Sequence, residues 1–185
     1  QPTEEQASQA AEENEQAAEE ASELPNTGWE RAEYDQVEDG GTLRLAVSQL
    51  PNTWNYYHTN GALADLNTIL LPCWPGGNIA DETGAVVINP DTVVSAEITS
   101  EDPQIVTVKY NPDAVWEDGT PITIKDFAAQ WKACSGSDDA FQVASTTGWS
   151  DIADVRETDD ESTGEIEYSS TFPDWIAYIY PSLPE

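Results

Sequence analysis

Histidine occurs once in this chain of 185 residues, at His58, and cysteine only twice, at Cys73 and Cys134. Structural zinc sites take four Cys or His ligands, so these three residues cannot build one without carboxylates. A Ser-His-Asp system would have to use His58, which lies in Trp54-Asn55-Tyr56-Tyr57-His58 with no nucleophile motif beside it. A lone histidine among aromatics reads as a packing or hydrogen-bonding residue. Basic residues are also scarce: 6 Lys and Arg against 36 Asp and Glu leave a formal net charge of −30. The clustered cations that displace counterions from a phosphate backbone are missing, which excludes nucleic acid as a partner. A polybasic dock on an anionic membrane is excluded for the same reason. No glycine-rich phosphate loop is present, and no apolar run approaches the roughly 18 residues of a membrane span. Chance carboxylate pairs are everywhere among so many acids and carry no information about hydrolysis. No catalytic residue, metal or cofactor is expected.

What the chain has instead is aromatic mass. Seven Trp and seven Tyr supply large buried areas per residue, enough for a packed core once the polar ends are set aside. The two cysteines, 61 positions apart, suit one disulfide in an oxidising compartment, worth about 4 kcal/mol by loop entropy. The competing reading is two unrelated thiols, one of them buried. The excess of carboxylates suggests a salt-adapted surface, whose self-repulsion high ionic strength would screen. Asp138-Asp139 and Asp159-Asp160-Glu161 invite a calcium reading, but neither has the spacing of a calcium loop, and both read as solvated surface.

Residues 1–37 are expected to be a disordered acidic tether, followed by one folded body over 38–185. Gln1 to Glu23 hold Glu, Gln, Ala and Ser without a basic or aromatic residue, and Glu15, Glu19 and Glu23 repel at i,i+4 spacing. Leu24-Pro25-Asn26-Thr27-Gly28 spells a sortase signal, but the apolar segment and basic tail that such a signal needs do not follow, so it reads as coincidence. In the body, Leu43, Leu45 and Val47 alternate with polar or small residues and predict a first strand. Ala62 to Leu71 has helical spacing and stops at Pro72; Cys73 to Gly77 reads as loop. Further strands are expected at Ala85–Ile88, Val93–Thr99 and Gln104–Tyr110. Thr123 and Asp126 form a capping-box pattern opening an amphipathic helix with Phe127, Gln130, Trp131 and Cys134 along one side. Trp149–Val155 and Gly164–Ser170 look like a strand pair, and Phe172-Pro173-Asp174-Trp175 begins a short last helix. The fold class is mixed α/β (α+β): a small domain, or the front part of a larger one.

The segment Val106 to Phe127, with its strand, Trp116, Asp118-Gly119-Thr120-Pro121 and capped helix at Asp126-Phe127, resembles the family 5 extracellular solute-binding proteins, the oligopeptide and dipeptide receptors of ABC importers. Gly40 to Arg44, Gly148 to Val155 (with Trp149 in place of the usual Tyr) and Phe172 to Trp175 followed by Leu183-Pro184 are similar to further family segments, in the family's order. The resemblance covers about Asp39 to Glu185. It implies a periplasmic-binding-protein-like type II fold of which this chain holds only the N-terminal part: a strand of lobe I plus the inserted small subdomain, with the C-terminal lobe absent. It implies no chemistry. The expected partners are a peptide or other small solute and ABC permease subunits, and the expected place is extracytoplasmic, as a cell-surface lipoprotein. The membrane would be met only through a lipidated cysteine ahead of Gln1, with 1–26 as the linker.

By the same resemblance, the cleft wall after the first strand corresponds to Ser48 to Tyr57, with Ser48, Trp54, Tyr56 and Tyr57 as ligand-binding candidates. The second contact region corresponds to Ser137 to Thr147, with Phe141 as its aromatic. The competing reading places the tyrosines and Trp54 in the core. Another class stays open: a secreted carbohydrate-binding module or glycan-acting enzyme with an aromatic platform of Trp54, Tyr56 and Trp74, which needs coplanar exposed rings.

Overall fold

The computed structural model describes residues 34–184 except Pro75 and Glu82. The expected tether up to residue 33, the linker and the sortase-like signal lie outside the described residues. Among the described residues two compact units are distinguishable, one within 34–41 and 80–85 and one within 42–79 and 86–184. The described part of the first has a 3-10 turn at Tyr34–Gln36 and a turn organised by Asp81, whose Oδ1 accepts from Thr83 N, Thr83 Oγ1 and Ala85 N.

The second unit is built on a four-stranded antiparallel sheet of β3 (Val93–Glu101), β4 (Gln104–Tyr110), β5 (Ile152–Glu157) and β6 (Thr163–Tyr168), in the order β3-β4-β6-β5. Two short strands, β1 (Asn78–Ala80) and β2 (Val86–Ile88), pair separately. Helix α1 spans Ala64–Leu70 and α2 spans Ile124–Cys134.

Strict alternation decides which face of the sheet is covered. In β4, Val106, Val108 and Tyr110 are buried while Ile105, Thr107 and Lys109 are not; in β6, Gly164, Ile166 and Tyr168 take the same side. The register places Val106 opposite Ile166 and Val108 opposite Gly164, so both strands offer one apolar stripe to one helix. Helix α2 covers it with Ile124 and Phe127, both essentially solvent-free. A Cβ on Gly164 would overlap the Ile124 side chain; the glycine lets the first turn of α2 lie directly on the sheet. That turn is fixed by the predicted capping box: Thr123 N donates to Asp126 Oδ2 at 2.8 Å and Lys125 N donates to Thr123 Oγ1 at 3.3 Å.

Three expectations fail. Residues 42–48 form no strand, and Leu43 and Leu45 are 75% and 47% exposed. A strand is stabilised by ladder hydrogen bonds to a neighbour, and no described strand pairs with this one. The last helix is a single 3-10 turn, Trp175–Ala177. Tyr178 leaves helical geometry and packs its ring edge-on against Trp149 at 5.4 Å, in the space that a Cβ on Gly148, itself at φ +78°, would fill. Finally, Cys73 and Cys134 are not joined: both are free, Cys73 exposed on the turn after α1 and Cys134 buried at the end of α2. One thiol faces solvent while the other belongs to the core, so the reading of two unrelated thiols holds.

Candidate cleft around Tyr57

Asn55 shapes the turn that carries the aromatics. Its side-chain oxygen accepts from Tyr57 N at 3.0 Å and its backbone carbonyl from His58 N at 3.2 Å. Gly61 is required here, because a Cβ would strike that carbonyl. His58 Nδ1 accepts from Asn60 N at 3.1 Å, which leaves Nε2 as the ring nitrogen free to donate. The turn then pairs with a distant segment: Thr59 N donates to Gln142 O at 2.9 Å and Ala144 N to Tyr57 O at 2.8 Å, with His58 opposite Val143. Two regions read separately in the sequence, 48–57 and 137–147, are thus stitched together by backbone hydrogen bonds.

Tyr57 lines two cavities. The first, about 540 Å³, is walled by Ala129, Gln130 and Ala133 of α2 on one side and by Phe141 and Val143 on another, with Leu183 and Pro184 also contributing. The second, about 390 Å³, is lined by Tyr56, Trp149, Tyr178 and the backbone around Gly76-Gly77. Both volumes lie in the range of small-ligand sites. Neither cavity is lined by a single Asp, Glu, Lys or Arg, in a chain with 36 acids.

Burial holds two titratable groups at the first cavity, Tyr57 and Cys134, in their neutral forms. Burial pushes the Tyr57 phenol up, against the pull of its hydrogen bond to Ser182 Oγ at 2.9 Å. Burial likewise pushes the Cys134 thiol up to about 11, so it stays protonated and unreactive at neutral pH. Gln130 is 5% exposed. Its Oε1 accepts from Ser182 N at 2.7 Å, while its Nε2 is buried beside the Tyr57 phenol and, like Ser182, draws the phenol's pKa down against burial.

Of the five ligand candidates, Tyr57 and Phe141 share the first cavity and Tyr56 joins Tyr57 in the second. Ser48 and Trp54 line neither. Ser48 instead donates from N and Oγ to the Asp65 carboxylate at 3.1 and 2.6 Å, and that side-chain bond draws the Asp65 pKa down. Trp54 is 62% exposed. The aromatic platform required for sugar stacking is not there: the Tyr56 and Trp74 rings meet at 85°, although Tyr57 and Trp74 are near-parallel at 6.2 Å. Among the described residues no group of three or more His, Cys, Asp or Glu could hold a metal. In the Asp159-Asp160-Glu161 turn, Asp160 is occupied by Ser162 and by Lys109, whose Nζ lies 3.1 Å away, and its pKa falls well below the usual carboxylate range.

Sequence reasoning placed Gln130 on the buried side of α2 without marking it as part of a site. The usable signal was a lone amide on an otherwise apolar stripe, which helical spacing alone treats as one more buried position.

Residues 87–185 match the family described as bacterial extracellular solute-binding proteins, family 5 Middle. The oligopeptide-binding protein OppA of Mycobacterium tuberculosis is 34% identical over 139 residues, covering 75% of this chain and 24% of that protein. Among solved structures, the periplasmic EDTA-binding protein EppA superposes with a TM-score of 0.69 at 29% identity, over 75% of this chain and 26% of EppA. Haemophilus influenzae OppA in complex with the peptide RPPGFSPFR gives 0.53 at 20% identity, over 66% and 26%, a likeness of fold. The chain spans about a quarter of the length of the curated relatives it matches.

Proposed function

Because the chain belongs to the bacterial extracellular solute-binding proteins of family 5, we propose that it forms part of a receptor that binds an oligopeptide and delivers it to the permease of an ABC importer. The family is one of solute-binding receptors, and the reading assigns the chain no chemistry. Among the described residues no helix is long and apolar enough to cross a membrane. In this reading the chain works outside the cytoplasm, held at the cell surface by a lipid anchor beyond this sequence.

One observation carries the reading: the backbone bridge between 57–59 and 142–144 borders an aromatic-walled cleft that no Asp, Glu, Lys or Arg lines. A peptide receptor needs such a wall, because apolar and aromatic surface tolerates varied side chains while hydrogen bonds fix the main chain. Tyr56, Tyr57 and Phe141 are its proposed contact residues. Receptors of this kind close two lobes over the solute. A chain a quarter of the relatives' length buries only part of a ligand, so the affinity expected for it alone is roughly millimolar.

The test is a titration of the purified chain with a library of short peptides, read by tryptophan fluorescence and calorimetry. Saturable quenching is expected, since Trp74 and Trp149 both contact the Tyr57 ring. Saturable binding of sugars with no response to any peptide would overturn the peptide assignment.

A further inference from the structure

Two side chains that line the larger cavity have given up their acceptor ends to the backbone. Asn55 Oδ1 accepts from Tyr57 N at 3.0 Å, and His58 Nδ1 accepts from Asn60 N at 3.1 Å. What remains on each is a donor, Nδ2 of Asn55 and Nε2 of His58, and among the described residues neither finds an acceptor in the protein. Both residues line the 540 Å³ space, together with Phe141, Val143 and Leu183. Asn55 is exposed and His58 half-buried, so a ligand can reach them. The Tyr57 phenol is instead bonded to Ser182 Oγ at 2.9 Å, and Gln130 Nε2 is shut off from solvent. The two open donors belong to one turn, in which His58 N donates to Asn55 O, and the pairing of 57–59 with 142–144 fixes that turn in the fold.

We infer that Asn55 Nδ2 and His58 Nε2 form a donor pair for a carboxylate borne beside an apolar group, the carboxylate accepting from both while the apolar group lies against Phe141, Val143 and Leu183. The inference rests on the receptor reading above and names the ligand class that the site takes: in a peptide, a residue with a terminal or a side-chain carboxylate. Two donors without acceptors of their own suit a group that offers only lone pairs, and hydrogen bonds to an ionised acceptor are roughly twice as strong as neutral ones. His58 is the one basic side chain in this wall, and no Asp or Glu lines it. A cationic group would lose its hydration there with no carboxylate to replace it. The net charge of −30 repels anions at a distance, but physiological salt screens that field beyond about 8 Å, so the donors at the cavity decide what is held.

Because the chain has a single histidine, the two carbon-bound ring protons of His58 report on the site without ambiguity in a proton NMR titration. Three probes are compared at constant pH and ionic strength: N-acetyl-leucine, with a terminal carboxylate; N-acetylglutamate α-amide, with one on its side chain; and N-acetyl-leucinamide, with none. At least one carboxylate probe is expected to shift both ring protons saturably and to bind at least about fivefold more tightly than the leucinamide. The tighter of the two identifies the source of the carboxylate. Asn55→Asp keeps the oxygen that holds Tyr57 N and replaces the donor with a second acceptor, so in that variant the preference for a carboxylate over the leucinamide should disappear. A leucinamide that binds the unaltered chain as tightly as both carboxylate probes overturns the inference, and so does an Asn55→Asp chain that keeps the preference. If His58 is silent to all three while library peptides still quench Trp74 and Trp149, the inference falls and the receptor reading stands. If neither responds, both fall.

Discussion

The two sides of the sheet unit solve opposite electrostatic problems. On the solvent face of the sheet, Arg156 is held by three carboxylates at once: its Nε lies 3.2 Å from Glu165, and its Nη1 lies 3.2 Å from Asp154 and 2.6 Å from Glu167. Lys109 binds Asp160 at the end of the same surface, and Thr99 and Thr107 share a hydrogen bond across β3 and β4. Beyond α2, around Tyr57, no Asp, Glu, Lys or Arg lines either cavity, and His58 is the one basic side chain at the first. The net charge of −30 is thus a property of one kind of surface and says nothing about the kind of ligand the other would take. One scaffold carries both: the alternation in β4 and β6 sends Glu165, Glu167 and Lys109 to one side and Val106, Val108, Ile166 and Tyr168 to the other.

The sharpest way to break the contrast is to remove the layer between the two faces. Phe127→Ala empties the contact between α2 and the sheet, where Phe127 is fully buried against Trp149 at 5.6 Å. It should cost about 3–5 kcal/mol in urea denaturation and abolish both the Arg156 cluster and ligand binding.

The next effect separates the faces by pH. Asp118, Asp160 and Asp65 have lowered pKa values, each through hydrogen bonds, to Thr120, Ser162 and Ser48 respectively. Carboxylates depressed in the folded state contribute stability that is present above their unfolded pKa and is lost as pH falls through the folded one. Cys134 behaves in the opposite sense. Its thiol is raised from 9.0 to about 11, so its contribution is complete below 9 and is lost between 9 and 11, on the order of 2 kcal/mol in all. Melting temperature against pH should therefore fall at both ends, and Cys134→Ala should remove only the thiol's share of the alkaline fall, the buried Tyr110, Tyr168 and Tyr180 keeping the rest, while leaving the acid limb unchanged.

Phe141→Ala addresses the cavity alone. Phe141 is half exposed, so stability should move by no more than about 0.5 kcal/mol, while peptide affinity falls roughly tenfold. Arg156→Met addresses the other face alone and carries the smallest effect. Its partners are partly solvated, so a loss of at most about 1 kcal/mol is expected at low salt. That loss should shrink in about 1 M salt, where the screening length falls to about 3 Å, and peptide affinity should not change.

Features encoded within a few residues were legible in the sequence. The capping box at Thr123 and Asp126, the alternation from Gln104 to Tyr110 and the turn at Asp118-Gly119 each owe their geometry to their own side chains. Features that need a distant partner were not. Leu43 to Val47 reads as a strand but has no described neighbour to pair with, and Tyr178 leaves the last helix because Gly148, thirty residues earlier, makes room for its ring. The Pro75-Gly76-Gly77 run reads as loop, yet β1 begins at Asn78 immediately after it, paired to a strand whose own pattern is only three residues long. The site divides the same way. The aromatic character of Tyr56, Tyr57 and Phe141 was visible, but the bridge from His58 to Val143 that makes them walls of one cleft depends on a contact across 85 positions. Gln130 needed that contact too, because only the folded cleft shows its amide buried beside the Tyr57 phenol.

Amide hydrogen exchange with and without a short neutral peptide bears most directly on the central claim, because it reads both faces in one measurement. The account predicts added protection in 55–59 and 140–144 at saturating peptide, with 152–168 unchanged. Protection confined to 152–168, or none anywhere while the peptide is demonstrably bound, would contradict it.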